Sequence, residues 1–201
     1  YENGQIMEHH YLNEKGEIVG KWEVYYKSGT LLRVGYMDNG YYEGEMKQYY
    51  ENGELMAIYN YKNGVEHGKW TDYYENGQLK YVFNYKNGIQ DGESITYNEN
   101  GNPEFVATIE NGELKKMENY YKNGQLKSVG SYSNGEKDGE CRYYLEVGSF
   151  ASFGNYKNGE KDGEWSTYLF DNGELSEVRI YKNGKDEETR VYNAYGVLMH
   201  T

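Results

Sequence analysis

Histidine and cysteine are the side chains of this sequence best suited to bind a metal ion or to act in nucleophilic catalysis. The chain has four histidines, His9, His10, His67 and His200, and a single cysteine, Cys141. Their spacing matches no zinc-binding pattern, and no serine lies in a local motif that marks a catalytic nucleophile. The sequence therefore predicts a protein that is not an enzyme, with no catalytic residue, no metal site and no cofactor.

Acidic side chains are numerous, and two segments place them in glycine-rich loops. Residues 134–140 and 158–164 share the sequence Asn-Gly-Glu-Lys-Asp-Gly-Glu. Asparagine and aspartate in such loops can coordinate calcium, but a lysine lies inside each segment, at Lys137 and at Lys161. Turn formation accounts for these residues, and calcium binding by them is left open.

The acidic excess also restricts the partners of the chain. Its 33 acidic and 21 basic residues give a formal net charge of −12. Such a surface repels the phosphates of nucleic acids and of anionic membrane lipids, so neither is predicted as a partner. A basic protein partner suits this charge.

Glycine marks the turns between the elements that must position these side chains, and it recurs with one period along the whole sequence. Successive members of each of two interleaved glycine series are 23 to 25 residues apart. Two series with one period indicate a tandem repeat with two turns in each unit. One series is Gly4, Gly29, Gly53, Gly77, Gly101, Gly124, Gly148, Gly173 and Gly196, and the other is Gly16, Gly40, Gly64, Gly88, Gly112, Gly135, Gly159 and Gly184.

Residues 68–92 show what one repeat contains. Two short runs, 69–74 and 79–85, are rich in aromatic and β-branched residues, a composition typical of β-strands. Asn76-Gly77 joins the two runs, and we expect a tight hairpin with positive φ at both residues. A longer link, residues 86–92, leads into the next repeat.

These repeats predict an all-β fold. We expect an elongated single-layer antiparallel sheet, or β-solenoid, of about eight tandem β-hairpin repeats of ~24 residues. The array is predicted to form one domain over residues 1–201. Ser94, Asn98 and Pro103 interrupt the apolar pattern, so a bend or flexible point is predicted at residues 92–112.

Equivalent positions of the repeats separate structural candidates from binding candidates. One position is tyrosine in every repeat, which predicts a structural role for it. The next position varies from aromatic to aliphatic or polar, and exposed aromatic residues are typical of recognition surfaces, with packing of the second face as the alternative. The predicted structural tyrosines are Tyr25, Tyr49, Tyr73, Tyr97, Tyr120, Tyr144, Tyr168 and Tyr192. The candidates for partner binding are Tyr26, Tyr50, Tyr74, Tyr121, Trp70, Glu43, Glu66 and Asp91.

The repeat motif resembles that of a known family. Tyr-Tyr-Glu-Asn-Gly-Gln-Leu at residues 73–79, followed by Tyr-Lys-Asn-Gly-Ile-Gln-Asp-Gly at residues 85–92, is similar to the MORN-repeat variant of bacteria. The likeness covers essentially the whole chain. It implies a rod of stacked hairpins that serves protein–protein or membrane-associated interactions, and some members are antitoxin partners in toxin–antitoxin systems or surface repeat proteins.

A second resemblance is to the choline- or glucan-binding repeats of cell-wall proteins, which are also aromatic and glycine-rich hairpins. Those repeats depend on regular tryptophan, whereas this chain has only Trp22, Trp70 and Trp165. The regular Asn-Gly turns and the period near 24 residues favour the MORN variant.

Two functions follow as hypotheses. The first is a non-catalytic protein-interaction or scaffolding module that presents an extended acidic, aromatic face, either as an antitoxin or immunity protein or as a surface adhesin. The alternative is carbohydrate or cell-wall binding through stacked tyrosines. Because exposed sheet edges can pair, the chain is expected to be a monomer or a weak end-to-end dimer.

The compartment is left open by the sequence. No apolar run is long enough to span a bilayer. Since the chain opens inside a repeat, at Tyr1, an upstream segment is expected. The protein would be secreted or at the cell surface if that segment is a signal, and cytoplasmic otherwise.

Overall fold

The structure, a computed structural model, describes residues 1–169 and 173–200, and all its regular elements are β-strands. Contacts between Cα atoms divide the chain into two compact units, unit 1 (Tyr1–Gly101) and unit 2 (Asn102–Thr201). This boundary lies inside the predicted interval 92–112. Whether that interval bends stays a prediction.

Strands that follow one another pair antiparallel within each unit, except that the short strands 65–66 and 68–73 both pair with 55–62, and 89–90 and 92–97 both pair with 79–86. This pairing confirms the predicted all-β array of repeating hairpins. Unit 1 holds β1 (Glu8–Leu12), β2 (Ile18–Tyr25), β3 (Leu31–Asp38), β4 (Tyr41–Tyr49), β5 (Leu55–Lys62), β6 (Val65–Glu66), β7 (Gly68–Tyr73), β8 (Leu79–Lys86), β9 (Ile89–Gln90) and β10 (Gly92–Tyr97). Unit 2 holds β11 (Pro103–Glu110), β12 (Glu113–Tyr120), β13 (Leu126–Ser133), β14 (Glu136–Tyr144), β15 (Phe150–Lys157), β16 (Glu160–Tyr168), β17 (Leu175–Lys182), β18 (Lys185–Tyr192) and β19 (Leu198–His200).

In most repeats the turn that follows the invariant tyrosine is five residues long, and we call it the wide turn; after Tyr168 it is one residue longer. In residues 74–78, the N–H of Tyr74 donates to the carbonyl of Gln78, and the N–H of Gly77 donates to the carbonyl of Tyr74. Only Gly77 has positive φ, at 81°. The prediction of positive φ at both Asn76 and Gly77 was therefore wrong, because this hairpin combines a right-handed turn with a bulge at the glycine.

The second turn of each repeat contains two residues, and we call it the tight turn. At Asn87-Gly88 both residues have positive φ, 53° and 80°, as in the turn whose twist matches that of paired strands. Asparagine tolerates this conformation better than other residues with a side chain. The tight turns are at Asn39, Asn63, Asn87, Asn111, Asn134, Asn158 and Asn183, each followed by glycine.

Gly16 belongs to the second glycine series by position but not by geometry. It closes a wide turn, since the N–H of Asn13 donates to the carbonyl of Glu17 and that of Gly16 donates to the carbonyl of Asn13. Lys15 precedes Gly16, and a lysine is disfavoured at the positive φ that a tight turn requires. The first repeat therefore uses two wide turns.

Each strand presents two different faces, because successive side chains alternate. One, the tryptophan face, carries Trp22 and Trp165, both buried. Small residues lie opposite the large ones there: Gly154 pairs with Trp165, and a Cβ at Gly154 would lie 2.4 Å from the indole Cδ2. The other, the charged face, carries ion pairs two residues apart along a strand, such as Lys21–Glu23 at 2.6 Å.

Candidate functional site

The variable tyrosines predicted to bind a partner link each repeat of unit 1 to the next. The hydroxyl of Tyr50 donates to the carbonyl of the invariant Tyr73 at 2.7 Å, 23 residues further along the chain. Tyr26 makes the same bond to Tyr49 at 2.9 Å. We call this series the hydroxyl ladder; its other members are Tyr1 to Tyr25, Tyr74 to Tyr97 and, in unit 2, Tyr121 to Tyr144.

Asparagine side chains of the wide turns form a second set of links. Asn76 accepts the N–H of Gln78 through Oδ1 and donates through Nδ2 to the carbonyl of Glu99 in the next wide turn. In unit 2, Asn123 makes the equivalent bonds to Gln125 and Glu146. The asparagine of the wide turn therefore acts through its side chain, not through its φ angle.

Exposed carboxylates lie beside these links in unit 1. Glu51, Glu75 and Glu99 occupy the same position of successive wide turns and are exposed. Within the described part of the chain, their carboxylate oxygens make no hydrogen bond or ion pair. Burial, and then the charge of Glu75, raise the pKa of Tyr50, which places that carboxylate close to the ladder.

Open grooves lie between the wide turns. One, of about 350 Å³, is lined by Tyr50, Tyr74, Glu75, Asn76 and Glu99. The first repeat has an equivalent groove, lined by Tyr1, Glu2, Asn3 and Lys27. We call these residues, with Tyr26 and Glu51, the turn edge of unit 1.

The predicted acidic candidates lie at the other edge, near the tight turns, and have structural contacts. The carboxylate of Glu43 accepts the N–H of Asn63 at 2.7 Å and so caps the next tight turn. Glu66 accepts the N–H of Gly88 through its backbone carbonyl. Asp91 is half-buried, with its carboxylate 3.9 Å from the ammonium of Lys86. The structure therefore does not bring these three together with Tyr26, Tyr50 and Tyr74.

Trp70 lies on the tryptophan face of unit 1 among other rings. Its indole N–H donates to the carbonyl of Asn60, and its ring centroid is 4.5 Å from that of Tyr59 and 4.8 Å from that of Tyr85. The surrounding rings leave the indole half-buried. Whether Trp70 also contacts a partner stays a prediction.

A carboxylate with a buried oxygen atom, which was not among the predicted site residues, lies beside this cluster. Asp72 is two residues from Trp70 on β7, on the same face, and its Oδ1 is buried without a hydrogen-bond partner among the described residues. Burial raises the pKa of Asp72, against the effect of a hydrogen bond from Tyr59. Comparison of the repeats could have shown it, because Val24, Gln48 and Thr96 occupy the equivalent position.

Neither a metal-binding cluster nor a membrane-spanning helix is present among the described residues. No three histidine, cysteine, aspartate or glutamate side chains converge on a possible metal position in residues 1–169 and 173–200. The same residues contain no helix of the length and apolarity needed to cross a bilayer. The segment 134–140, predicted as a glycine-rich loop, is instead a tight turn followed by the start of β14, and Oδ2 of Asp138 accepts the N–H of Asn158 at 3.2 Å.

Comparison with known proteins identifies the repeat. The family model described as MORN repeat variant matches five segments, residues 18–39, 42–63, 66–87, 90–111 and 113–134, which make up more than half of the chain. The chain belongs to the MORN-repeat variant family. Each matched MORN segment holds one wide turn and ends at or beside a tight turn.

The MORN geometry continues beyond the last matched residue. β14 to β18 pair in sequence order, and Asn158 and Asn183 both have φ of 49° in their tight turns. One backbone difference occurs after residue 134: the N–H of Leu169 donates to the carbonyl of Glu174, five residues further on, whereas the N–H of Tyr121 and that of Leu145 donate to carbonyls four residues further on.

Solved structures and curated proteins add little to the family assignment. The chain is similar to a porin-like protein from Bacteroides uniformis ATCC 8492, with 13% identity, a TM-score of 0.22 and coverage of 84% of this chain and 87% of that one. At that TM-score the likeness supports no conclusion about this protein. No curated protein matches the chain.

Proposed function

We propose that this MORN-variant chain is a non-catalytic protein-interaction module whose contact surface is the turn edge of unit 1. The observation that carries the proposal is a row of carboxylates, one in each of three successive wide turns, that form no hydrogen bond or ion pair with the described residues. They lie beside tyrosine rings that the hydroxyl ladder holds in place. Rings fixed in this way lose little conformational entropy on binding.

The chemistry of the turn edge favours a basic protein partner. Glu51, Glu75 and Glu99 offer charges at regular intervals, and half-buried rings beside them provide apolar contact area. Such an arrangement steers a basic partner during association and is weakened by salt. An antitoxin or immunity role and an adhesin role are two versions of this proposal.

A titration with a defined basic probe tests the electrostatic part. The probe is a fluorescein-labelled peptide of ten lysines, and the variant is E51Q/E75Q/E99Q in the full chain. The control, E93Q/E110Q/E136Q, removes the same charge from exposed carboxylates outside the turn edge. We expect the edge variant to bind about tenfold more weakly, as three exposed ion pairs of about 0.5 kcal/mol each would give.

The control should bind the peptide with the affinity of the unmodified chain. Higher salt should weaken peptide binding by both of these proteins. Equal weakening in the edge variant and the control would show attraction to net charge alone and would remove the turn edge from the proposal. Affinity purification with the same three baits then searches for the natural partner, which only the edge variant should fail to retain.

Carbohydrate binding is a second candidate, because the groove at Tyr50 and Tyr74 combines ring faces with carboxylate and amide groups. Sugars bind such combinations through apolar stacking and directed hydrogen bonds. The probe is insoluble peptidoglycan or a soluble β-glucan, and the variant is Y50A/Y74A with its fold checked by circular dichroism. Retention that the variant loses and that salt does not affect would favour this function over the first.

A further inference from the structure

One repeat of unit 2 departs from the others at three positions where the fold accepts smaller or more polar residues. Phe150 stands where six repeats have leucine: Leu31, Leu55, Leu79, Leu126, Leu175 and Leu198. Phe153 stands where six repeats have valine or isoleucine: Val34, Ile58, Val82, Val106, Val129 and Val178. Val147 takes the position of the polar Asn3, Ser28, Asn52, Asn76, Asn100 and Asn123.

These three side chains are exposed, unlike some of their equivalents. Val82 and Val178 are only 7% and 4% exposed, whereas Phe153 is 36%, Phe150 is 43% and Val147 is 74% exposed. A larger apolar residue that remains in contact with water adds little to folding. Packing therefore does not explain why these residues are larger or more apolar than the rest of the series.

The rings form a cluster on the charged face. Tyr144 stacks on Phe150 with centroids 5.0 Å apart, and Phe153 stacks on Tyr168 at 6.1 Å. Phe150 and Phe153 line an open groove of about 240 Å³ together with Glu140 and Arg142. Clustered aromatic residues at the centre of a polar rim are typical of the energetic centre of a protein interface.

Charge around the cluster restricts its occupant. The guanidinium of Arg142 is already paired with the carboxylate of Glu140. Two other carboxylates near the cluster are exposed. Glu146 is next to Val147 in the sequence, and Glu164 is two residues before Ser166, the residue that pairs with Phe153. Arg190 interacts electrostatically with Glu164, but its guanidinium is paired with Glu188. The rim therefore keeps a net acidic charge, which favours an occupant with a basic residue next to its apolar contact.

The size of the cluster restricts the occupant further. A stable dimer buries about 800 Å² on each partner, and three partly exposed side chains provide far less. We propose that Val147, Phe150 and Phe153 form an anchor site in unit 2 for a short protein segment that carries an apolar side chain beside a basic residue. This site is distinct from the turn edge of unit 1 and does not depend on it.

The repeats themselves supply the test variant. V147N/F150L/F153V gives this repeat the residues that other repeats carry, so the fold is expected to remain intact. The probe is a fluorescein-labelled hexapeptide with leucine and tryptophan between two pairs of lysines, and its control has two alanines in place of the leucine and tryptophan. The unmodified chain and the variant are each titrated with both hexapeptides and with the ten-lysine peptide.

We expect the unmodified chain to bind the leucine–tryptophan peptide, and the variant to bind it about thirtyfold more weakly, which is the loss typical of an interface centre. The ten-lysine peptide should bind both proteins equally, which separates this site from the turn edge. Equal binding of both hexapeptides to the unmodified chain, or unchanged affinity in the variant, would overturn the proposal.

Two further measurements keep the proposal open to refutation. The thermal unfolding midpoint of the variant should equal or exceed that of the unmodified chain, and a lower midpoint would show that the cluster is structural packing. Sedimentation should show the same oligomeric state for both proteins. Self-association that only the variant loses would make a second copy the occupant and would overturn the choice of a short basic segment.

Discussion

Units 1 and 2 share turns and strand register but differ in what fills the tryptophan face. In unit 1 rings contact rings: Tyr42 lies 5.6 Å from Trp22 and 5.1 Å from Tyr61, centroid to centroid. In unit 2 the position of Tyr42 is taken by Lys137 and, one repeat later, by Lys161, whose ammonium lies 4.2 Å from the centroid of Trp165. Ring-to-ring and cation-to-ring contacts are thus interchangeable in one backbone.

The two units differ again along the wide turns. The hydroxyl ladder runs through four successive repeats of unit 1, whereas in unit 2 Tyr121 is followed by Leu145, Leu169 and Asn193, which cannot make the same bond. The wide turns at Tyr74 in unit 1 and at Tyr121 and Leu145 in unit 2 have the same backbone hydrogen bonds. The backbone therefore fixes the repeat, and side chains that depart from it, such as Phe150 and Phe153, are where function is best sought.

The largest expected difference between the units comes from adding one methyl group. In Gly154→Ala the new Cβ would lie 2.4 Å from the rigid indole of Trp165, whereas in Gly35→Ala of unit 1 it would lie 3.3 Å from the flexible side chain of Met46. We expect Gly154→Ala to lower the free energy of unfolding by about 3 kcal/mol and Gly35→Ala by less than about 1 kcal/mol. Urea titration of the full chain measures both.

A second substitution checks the cause of that difference. Trp165→Met gives unit 2 the side chain that unit 1 has at Met46. In the Trp165→Met background, Gly154→Ala should cost no more than Gly35→Ala does. Equal losses for the two glycine substitutions in the unmodified chain would contradict the steric explanation.

Strands and turns of this kind could be predicted because the signals are local and repeated. The glycine series located every turn, and the aromatic and β-branched runs located the strands, such as 79–85 for β8 (Leu79–Lys86). Asn76-Gly77 and Asn87-Gly88 are the same dipeptide, yet only Asn87 has positive φ. The turn type depends on how many residues connect the paired strands, and the Asn-Gly dipeptide alone does not reveal that number.

The candidate site was less predictable, because its contacts join residues about 23 positions apart. Tyr50 has the sequence environment of an exposed recognition residue, but its hydroxyl bonds the backbone of the next repeat. Glu43 lies in a charged stretch of the sequence that suggests an exposed surface, but its carboxylate caps the tight turn at Asn63. Phe150 and Phe153 occupy positions that are aliphatic in most other repeats, and only their exposure in the structure separates them from the core.

Alkaline pH should weaken the packing of both units. Burial, followed by a hydrogen bond to Tyr143, raises the pKa of Tyr156 to about 12, and burial also raises the pKa of Tyr61 in unit 1. A raised folded-state pKa means that the neutral phenol stabilises the fold; this contribution is complete below pH 10 and is lost as the pH rises toward 12. After allowance for solvent screening, the loss through Tyr156 is on the order of 1 kcal/mol.

Unfolding by urea at a series of pH values from 8 to 12 measures this loss. Tyr156→Phe should flatten the decline in stability in the upper part of that range. A phenylalanine variant whose stability declines as steeply as that of the unmodified chain would show that the Tyr156 phenol does not contribute.

The cation contacts of unit 2 should contribute about as much. Lys161→Gln gives unit 2 the residue that unit 1 has at Gln90, and it removes the ammonium that lies 4.2 Å from Trp165 and 4.9 Å from Tyr181. We expect a loss of about 1 kcal/mol in the free energy of unfolding. The control is Lys157→Gln, an exposed lysine, which should change stability by less than about 0.5 kcal/mol; an equal loss in both would point to net charge instead.

The hydroxyl ladder should contribute no more than these cation contacts do, and its contribution can be tested in both directions. Tyr50→Phe keeps the ring and removes the donor to the carbonyl of Tyr73, which should cost about 1 kcal/mol. Leu145→Tyr places a hydroxyl where the repeat would direct it to the carbonyl of Tyr168, and it should add up to about 1 kcal/mol to unit 2. Tyr195→Phe, at a 90% exposed ring, is the neutral control. A Leu145→Tyr chain with unchanged stability would mean that the ladder follows from neighbouring repeats in unit 1 and cannot be transferred by one residue.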